Sequence, residues 1–214
     1  MPRWVEYGAF LLALLAGSVN AVGLLGFQHQ SVSHLSGTAT LLGVELLSLN
    51  ESSVHLINIL LCFLFGSAVS GYLIENTSFK LGRHYYTALF VEGFFLLISL
   101  LFLENGLRYG HYFASAACGL QNALVTTYSG AIIRTTHVTG VFTDLGIMIG
   151  SKIKGNKFDK RKSILYLLII FGFIFGGTIG GLLYRYFIYK SLLFPILLTL
   201  FLAIVYRFYI MDKY

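Results

Sequence analysis

Charge is scarce in this chain of 214 residues: Asp, Glu, Lys and Arg make up 11% of it, against 57% apolar residues. With a mean hydropathy of +0.77, that scarcity excludes an ordinary soluble domain. Cysteine is almost absent. Cys62 and Cys118 both sit inside apolar runs, which argues against a disulfide framework and against a thiolate metal site. The chain also lacks Gly-x-Ser-x-Gly, His-Glu-x-x-His and any Asp/Glu pair at short helical spacing, so no familiar hydrolase or zinc-protease chemistry is indicated. No connection is long enough to form a separate soluble domain. A net charge of +6 would suggest nucleic acid in a soluble protein. In a chain this apolar, the lysines and arginines instead mark cytoplasmic loops.

What is present is a statement made twice. Ser33-His34-Leu35-Ser36-Gly37-Thr38-Ala39-Thr40-Leu41-Leu42-Gly43 returns as Thr136-His137-Val138-Thr139-Gly140-Val141-Phe142-Thr143-Asp144-Leu145-Gly146 at an offset of 103. Gly17, Asn20 and Ala21 upstream return as Gly119, Asn122 and Ala123 at an offset of 102. Downstream, Phe65-Gly66 with Gly71 returns as Phe175-Gly176 with Gly181 at an offset of 110. Three ordered blocks at nearly one offset imply an internal duplication, with repeat one at about 7–104 and repeat two at about 109–209, in a single membrane domain covering 1–214.

Apolar runs approaching the ~20 residues that cross a bilayer are expected at 7–27, 54–74, 85–103, 109–131, 164–187 and 192–209. Shorter segments are expected at 34–49 and 137–150. Arg3 before an apolar core, with Val19-Asn20-Ala21 following, resembles a signal peptide. The recurrence of Gly-x-x-Asn-Ala in mid-chain, where nothing is cleaved, argues against that reading.

The short segments decide the topology. If both span, there are eight transmembrane helices in two parallel repeats. If both dip in and return, six full spans remain and the repeats are inverted. With the N- and C-termini inside, twelve of the fifteen basic residues are then cytoplasmic, and Arg108, Arg185 and Lys190 lie outside. The positive-inside rule favours this second arrangement. So does length, since 14 to 16 helical residues reach about 21–24 Å, short of a ~30 Å core. The expected fold is therefore an all-α integral membrane protein with six full helices and two re-entrant half-helices.

A half-helix starting near the midplane leaves its first N–H groups unpaired and aims a positive dipole end into the protein. Ser33 and Thr136 are expected as N-caps. Broken helices of inverted repeats commonly meet at a solute site. The substrate pathway expected here comprises Asn20, His34, Ser36, Gly37, Thr38, Thr40, Gln121, Asn122, His137, Thr139, Gly140, Thr143 and Asp144. Glu92, Asp144 and His137 are candidates for proton coupling, because carboxylates at membrane depth are costly and usually face a cavity or a partner. Each has a plainer alternative. Gly37, Gly43, Gly140 and Gly146 would serve close helix packing. The histidines could bond a carbonyl of a neighbouring helix, and Asn20, Gln121 and Asn122 could be interhelical glue. Arg134 could compensate Asp144 or snorkel to the interface. The basic run Lys152–Lys162 reads as a solvated cytoplasmic loop, with anionic-lipid contact as a secondary role.

The Gly119-Leu120-Gln121-Asn122-Ala123 element, the Thr136-His137-Val138-Thr139-Gly140 element with Thr143-Asp144-Leu145-Gly146, and the paired Ser36-Gly37 site resemble the YoaK-like family of bacterial membrane proteins. The resemblance covers nearly the whole chain. It implies a membrane location and, the family being of unknown function, no catalytic residues. Relatives often carry Asp where this chain has Asn20, and Ser-Gly-Asn-Thr where it has Ser36-Gly37-Thr38-Ala39.

The function expected from these residues is a small secondary transporter or channel-like permease. Two half-helix N-termini favour an anionic or neutral hydrogen-bonding solute over a bare metal cation, with pH dependence carried by His137 and Asp144. The alternatives are an intramembrane enzyme acting on a lipid or quinone, and a non-transporting assembly or sensor subunit. The expected partners are the lipid bilayer, an unidentified small solute and a second copy in a homo-oligomer. No cofactor, metal or nucleic acid is expected.

Overall fold

The computed structural model describes residues 3–26, 33–46, 50–74, 84–129 and 135–211. Its helices are α1 (Arg3–Gly26), α2 (Leu35–Glu45), α3 (Glu51–Leu73), α4 (Tyr85–Glu104), α5 (Tyr109–Ser129), α6 (Val138–Ile153), α7 (Lys160–Phe187) and α8 (Leu193–Met211), with a 3-10 turn at Ile188–Leu192 between the last two. Among the described residues there is no strand. Polar residues punctuate the apolar runs. Asn50 caps α3 by accepting from Ser53 N at 3.1 Å, and Asp159 caps α7 by accepting from Lys162 N at 3.1 Å. The cap at Asp159 pulls the end of the basic run into helix, four residues earlier than the apolar pattern at Ile164 suggests. The α4–α5 reversal ends at Gly106, whose φ of 71° suits glycine. There Gly106 N bonds Leu103 O at 3.0 Å and Leu107 N bonds Phe102 O at 2.9 Å, the paired bonds of a Schellman ending.

Among the described residues four stretches are long and apolar enough to cross a membrane: Val5–Gly26, Glu51–Leu73, Tyr85–Glu104, and the 50 residues of Lys160–Tyr209 that hold both α7 and α8. Helix α5 is not among them. Its Gly, Ser, Gln, Asn and Thr content lowers its hydropathy, and its run Ala114–Gln121 is buried throughout by protein. Helix α1 is its counterpart, 67% buried where α3 is 28% buried. The two helices that carry Gly-x-x-Asn-Ala are thus the interior of the bundle.

Two apolar clusters mark the two ends of the bundle. One joins Val5 and Ala9 of α1, Tyr85 and Ala88 of α4, and Leu165 and Tyr166 of α7 to Leu124 of α5, Ala203 of α8 and Leu73 of α3. The other joins Val19 and Val22 of α1, Leu100 and Leu103 of α4, Ala114 of α5 and Ile196 of α8. Helices α1, α4 and α7 therefore run one way, and α3, α5 and α8 run the other. The beginnings of α1, α4 and α7 define what is called here the first end. Their last turns define the second.

Apolar burial alone does not hold helices together in lipid, so close backbone approach must. Glycine supplies it. A Cβ at Gly17 would strike the carbonyl of Phe173, and one at Gly176 the carbonyl of Leu14, where α1 packs parallel to α7. A Cβ at Gly119 would strike the carbonyl of Phe63, and one at Gly66 the carbonyl of Ala116, where α5 packs parallel to α3. Serine adds bonds across the second seam: Ser115 Oγ donates to Ile59 O at 2.8 Å, and Ser67 Oγ to Gly119 O at 3.0 Å.

Candidate functional site

The hydroxyl residue before each motif histidine is tied to the asparagine of the preceding helix. Ser33 Oγ donates to Asn20 Oδ1 at 2.7 Å, and Thr136 Oγ1 donates to Asn122 Oδ1 at 2.9 Å. This corrects the expectation that Ser33 and Thr136 are N-caps. The N-cap residues are His34 and His137, and neither makes a side-chain cap bond. The hydroxyl hydrogens go to the asparagines, which pin the chain where it leaves its long helix and begins its short one. Asn20 and Asn122 thus position the short helices. Gln121 Nε2 donates to Leu12 O at 2.8 Å, so it joins α5 to α1. Three residues assigned to the solute pathway are engaged in holding the scaffold.

His34 lies close enough to His137 for a charge on one to act on the other. The His34 ring is tilted against that of Phe173 on α7, with centroids 6.1 Å apart. The start of α2 therefore reaches the third helix of the other half. His137 is exposed and folds over its own helix, where a Cβ at Gly140 would meet its ring. That explains the His-x-x-Gly spacing in the second copy. It does not explain the first, because a Cβ at Gly37 would meet nothing within 4 Å. Gly43 and Gly146 are equally open, so close packing among the described residues does not account for them.

The faces of the short helices are open rather than enclosed. On α2 only Thr38 is buried, while Ser36, Gly37 and Thr40 are exposed. On α6 only Val141 is buried, while Thr139, Thr143 and Asp144 are exposed. Thr40 Oγ1 donates to Ser36 O at 2.8 Å and Thr143 Oγ1 to Thr139 O at 2.9 Å. These hydroxyls spend their hydrogens on their own helix and present acceptors outward. Asp144 is exposed rather than enclosed, and its Oδ2 accepts from the hydroxyl of buried Tyr166 at 2.8 Å. Glu92 is 1% exposed on α4. Its Oε2 has no hydrogen-bond partner among the described residues, and none of the bonds above joins it to either motif copy. Arg134, Lys80 and Arg83 lie outside the described residues. Among the described residues no three of His, Cys, Asp and Glu come together as a metal site would need.

A second polar group lies at the second end and was not singled out from the sequence. His55 of α3 and His111 of α5 bond to each other, Nε2 to Nδ1, at 3.2 Å, and His55 Nδ1 bonds Tyr112 Oη at 3.0 Å. A cavity of about 400 Å³ lies beside them, lined also by Arg108, Ser52 and Tyr189. The available signal was a departure between the halves. At the offsets of the repeat, His55, His111 and Tyr112 fall opposite Leu165, Ala9 and Phe10.

Compared with known proteins, residues 8–205 match a family model described as Protein of unknown function (DUF1275). No curated protein and no solved structure matches the chain.

Proposed function

The chain belongs to this family of unknown function (DUF1275), the group to which the YoaK-like proteins belong, and from that premise we propose a small secondary transporter or channel-like permease built on an inverted repeat. The observation that carries the reading is the twofold anchor: Asn20 with Ser33 and Asn122 with Thr136 start two short helices whose cap residues, His34 and His137, lie close enough for a charge on one to act on the other. Convergent half-helix starts are how inverted-repeat transporters assemble a solute site.

The topology proposed is six spans and two re-entrant half-helices, in a bacterial cytoplasmic membrane with both termini inside. Helix directions support it. Helix α2 leaves from the last turn of α1 and returns to the first turn of α3, both at the second end, and α6 leaves from α5 and returns to α7 at the first end. The eleven residues of α2 and sixteen of α6 reach about 16 and 24 Å, short of the ~30 Å core. Lys152, Lys154, Lys157, Lys160, Arg161, Lys162 and Arg207 belong to segments at the first end, and Arg108, Arg185 and Lys190 to segments at the second. That asymmetry makes the first end cytoplasmic.

His137, Thr139, Thr143 and Asp144 form an exposed polar face at membrane depth, where contact with lipid would be costly. The face therefore borders a wet groove leading to the paired half-helix starts. Solutes that are anionic, or neutral with hydrogen-bonding groups, suit those N-terminal dipoles. Asp144, held by Tyr166, is the group that gates this preference. Purified protein in liposomes tests the proposal through flux of small anions and polar solutes, with His137→Ala and Asp144→Asn beside the wild type. Absence of flux for every class of small solute sinks it.

The openness of Gly37, Gly43 and Gly146 favours one second reading. The α2 and α6 faces would then be covered by a second copy of the chain in a homo-oligomer, with no transport. Cross-linking of Gly43→Cys protein in membranes, together with absence of flux, would support that reading over the first.

A further inference from the structure

Three buried polar side chains stand where the two apolar clusters part. On α4, Glu92 falls between Leu89 of the first-end cluster and Leu96 of the second-end cluster. On α5, Gln121 falls between Leu124 of the one and Cys118 of the other, and on α8 Thr199 falls between Ala203 and Ile196. All three are 1% exposed or less. The helices meet at this level. Cys118 is near enough to Glu92 for a charge on the carboxyl to act on it, and a Cβ at Gly93 would meet Leu200 and Thr199 of α8. The bundle thus has a polar layer at mid-height, with an apolar cluster on either side.

Two of the three side chains are bonded. Gln121 Nε2 donates to Leu12 O at 2.8 Å, and Thr199 Oγ1 donates to Pro195 O at 2.7 Å. Glu92 differs, since its Oε2 has no hydrogen-bond partner among the described residues. No described cation stands level with it either. Of the elements packed on α4, α5 faces Glu92 with the thiol of Cys118. Helix α8 carries Tyr206 and Arg207 beside Tyr85 and Tyr86, at the first end. The 3-10 turn carries Lys190 beside Glu104, at the second. Helix α3 meets α4 at Phe65 against Phe95, and its His55 lies at the second end. An unpaired carboxylate is too costly in such a place, so this packing holds the neutral acid. Leucine would fill the space without that cost, so packing does not call for a carboxyl. Carboxyls at membrane depth mark ion and proton pathways.

A way in begins at the second end. The cavity of about 400 Å³ there is lined by Leu103, which belongs to the second-end cluster. Leu103, Leu100, Leu96 and Glu92 are spaced by three and four residues, so they share one face of α4. From Leu103 to Glu92 is about 16 Å along the helix, at 1.5 Å per residue. Parting of the second-end cluster along that face would join Glu92 to the cavity while the first-end cluster stays shut.

We propose that Glu92 is an occluded proton-binding site that exchanges with the second-end cavity and couples proton movement to the solute. The inference rests on the transporter reading for its use, and on the polar layer for its existence. The carboxylate takes a proton from water on the cavity side, and the acid returns it to water once the clusters have exchanged roles. Infrared spectroscopy of the purified full chain in lipid tests the site itself. The wild type should show the carbonyl stretching band of a protonated carboxyl at neutral pH. That band should vanish in the near-isosteric Glu92→Gln, persist in Asp144→Asn, and titrate away reversibly as pH rises while the protein stays folded. Leu100→Ala, which thins the second-end cluster, should speed deuterium exchange at the carboxyl at least tenfold. Absence of a Glu92-dependent band overturns the proposal. So does a band that stays unchanged until the protein unfolds, because that marks a structural acid. Flux in liposomes tests the coupling: an imposed pH gradient should change wild-type flux at least tenfold and leave Glu92→Gln indifferent, and an equal response in both overturns it. A wild type without any flux would remove the transporter reading, and the infrared titration would still decide whether Glu92 exchanges a proton.

Discussion

Thr136 donates its hydroxyl hydrogen to Asn122 Oδ1 at 2.9 Å, and that bond sets where α6 begins. A hydroxyl that would otherwise cap the helix is turned back toward α5. The first backbone turn is left to close on His137 O, which Val141 N reaches at 3.2 Å. The same arrangement at Ser33 and Asn20 makes the anchor a property of both halves.

If the anchor positions the short helices, its two partners should be energetically coupled. Asn122→Ala and Thr136→Val are each expected to lower apparent stability, and the double variant to lose less than their sum. The coupling should be about 1 kcal/mol, the net worth of a hydrogen bond between neighbours. Thermal unfolding of the four proteins in one detergent measures it. Strict additivity would mean that the bond does not matter to the fold.

The glycines divide into two groups with opposite expected signs. Gly66→Ala and Gly176→Ala place a methyl group against the carbonyls of Ala116 and Leu14. Each should destabilise by about 2–3 kcal/mol, as overpacking does. Gly43→Ala and Gly146→Ala meet nothing within 4 Å and should stabilise their helices by about 0.5–1 kcal/mol. The same unfolding assay ranks all four. A loss at Gly43 or Gly146 comparable to that at Gly66 would reveal a contact that the described residues of one chain do not make.

Topology is open to labelling. In a background lacking Cys62 and Cys118, Ser78→Cys and Ser151→Cys should resist an impermeant maleimide added to intact cells, and Asn105→Cys should react. Ser78 lies outside the described residues, so its result is independent of the helix geometry. Reaction at one of Ser78 and Ser151 but not the other would remove the six-span arrangement and restore eight crossings.

Asp144 and Tyr166 bear on solute charge. Tyr166→Phe removes the hydroxyl that bonds Asp144 Oδ2 at 2.8 Å and should alter flux while leaving the chain folded. Asp144→Asn keeps the bond acceptor and removes the charge, so passage of anions should rise or hold. A wild type that passes a metal cation selectively, and loses that passage in Asp144→Asn, would show that the carboxylate outweighs the helix dipoles.

Much of this protein was legible along the chain. Apolar run length predicts the long helices to within a few residues, because a span's length is a local property read against a fixed bilayer thickness. The recurrence of His-x-x-Gly and Gly-x-x-Asn-Ala needed no contacts to be seen. What each motif residue does was decided only by tertiary packing. Asn20 and Asn122 look like pathway residues in the sequence and are anchors in the fold, because their partners lie 13 and 14 positions away, across a break in helix that no periodicity describes. Ser33 and Thr136 have the right residue type for N-caps, yet each stands one residue before the cap position and turns its hydroxyl to an asparagine. His55 and His111, 56 residues apart, are unremarked points on separate apolar helices until α3 and α5 pack in parallel. A sequence determines which stretches must be helical and apolar, since those demands are met residue by residue. Which hydroxyl, imidazole or carbonyl shares a hydrogen with which is settled by the seams between helices, where glycine lets two backbones touch.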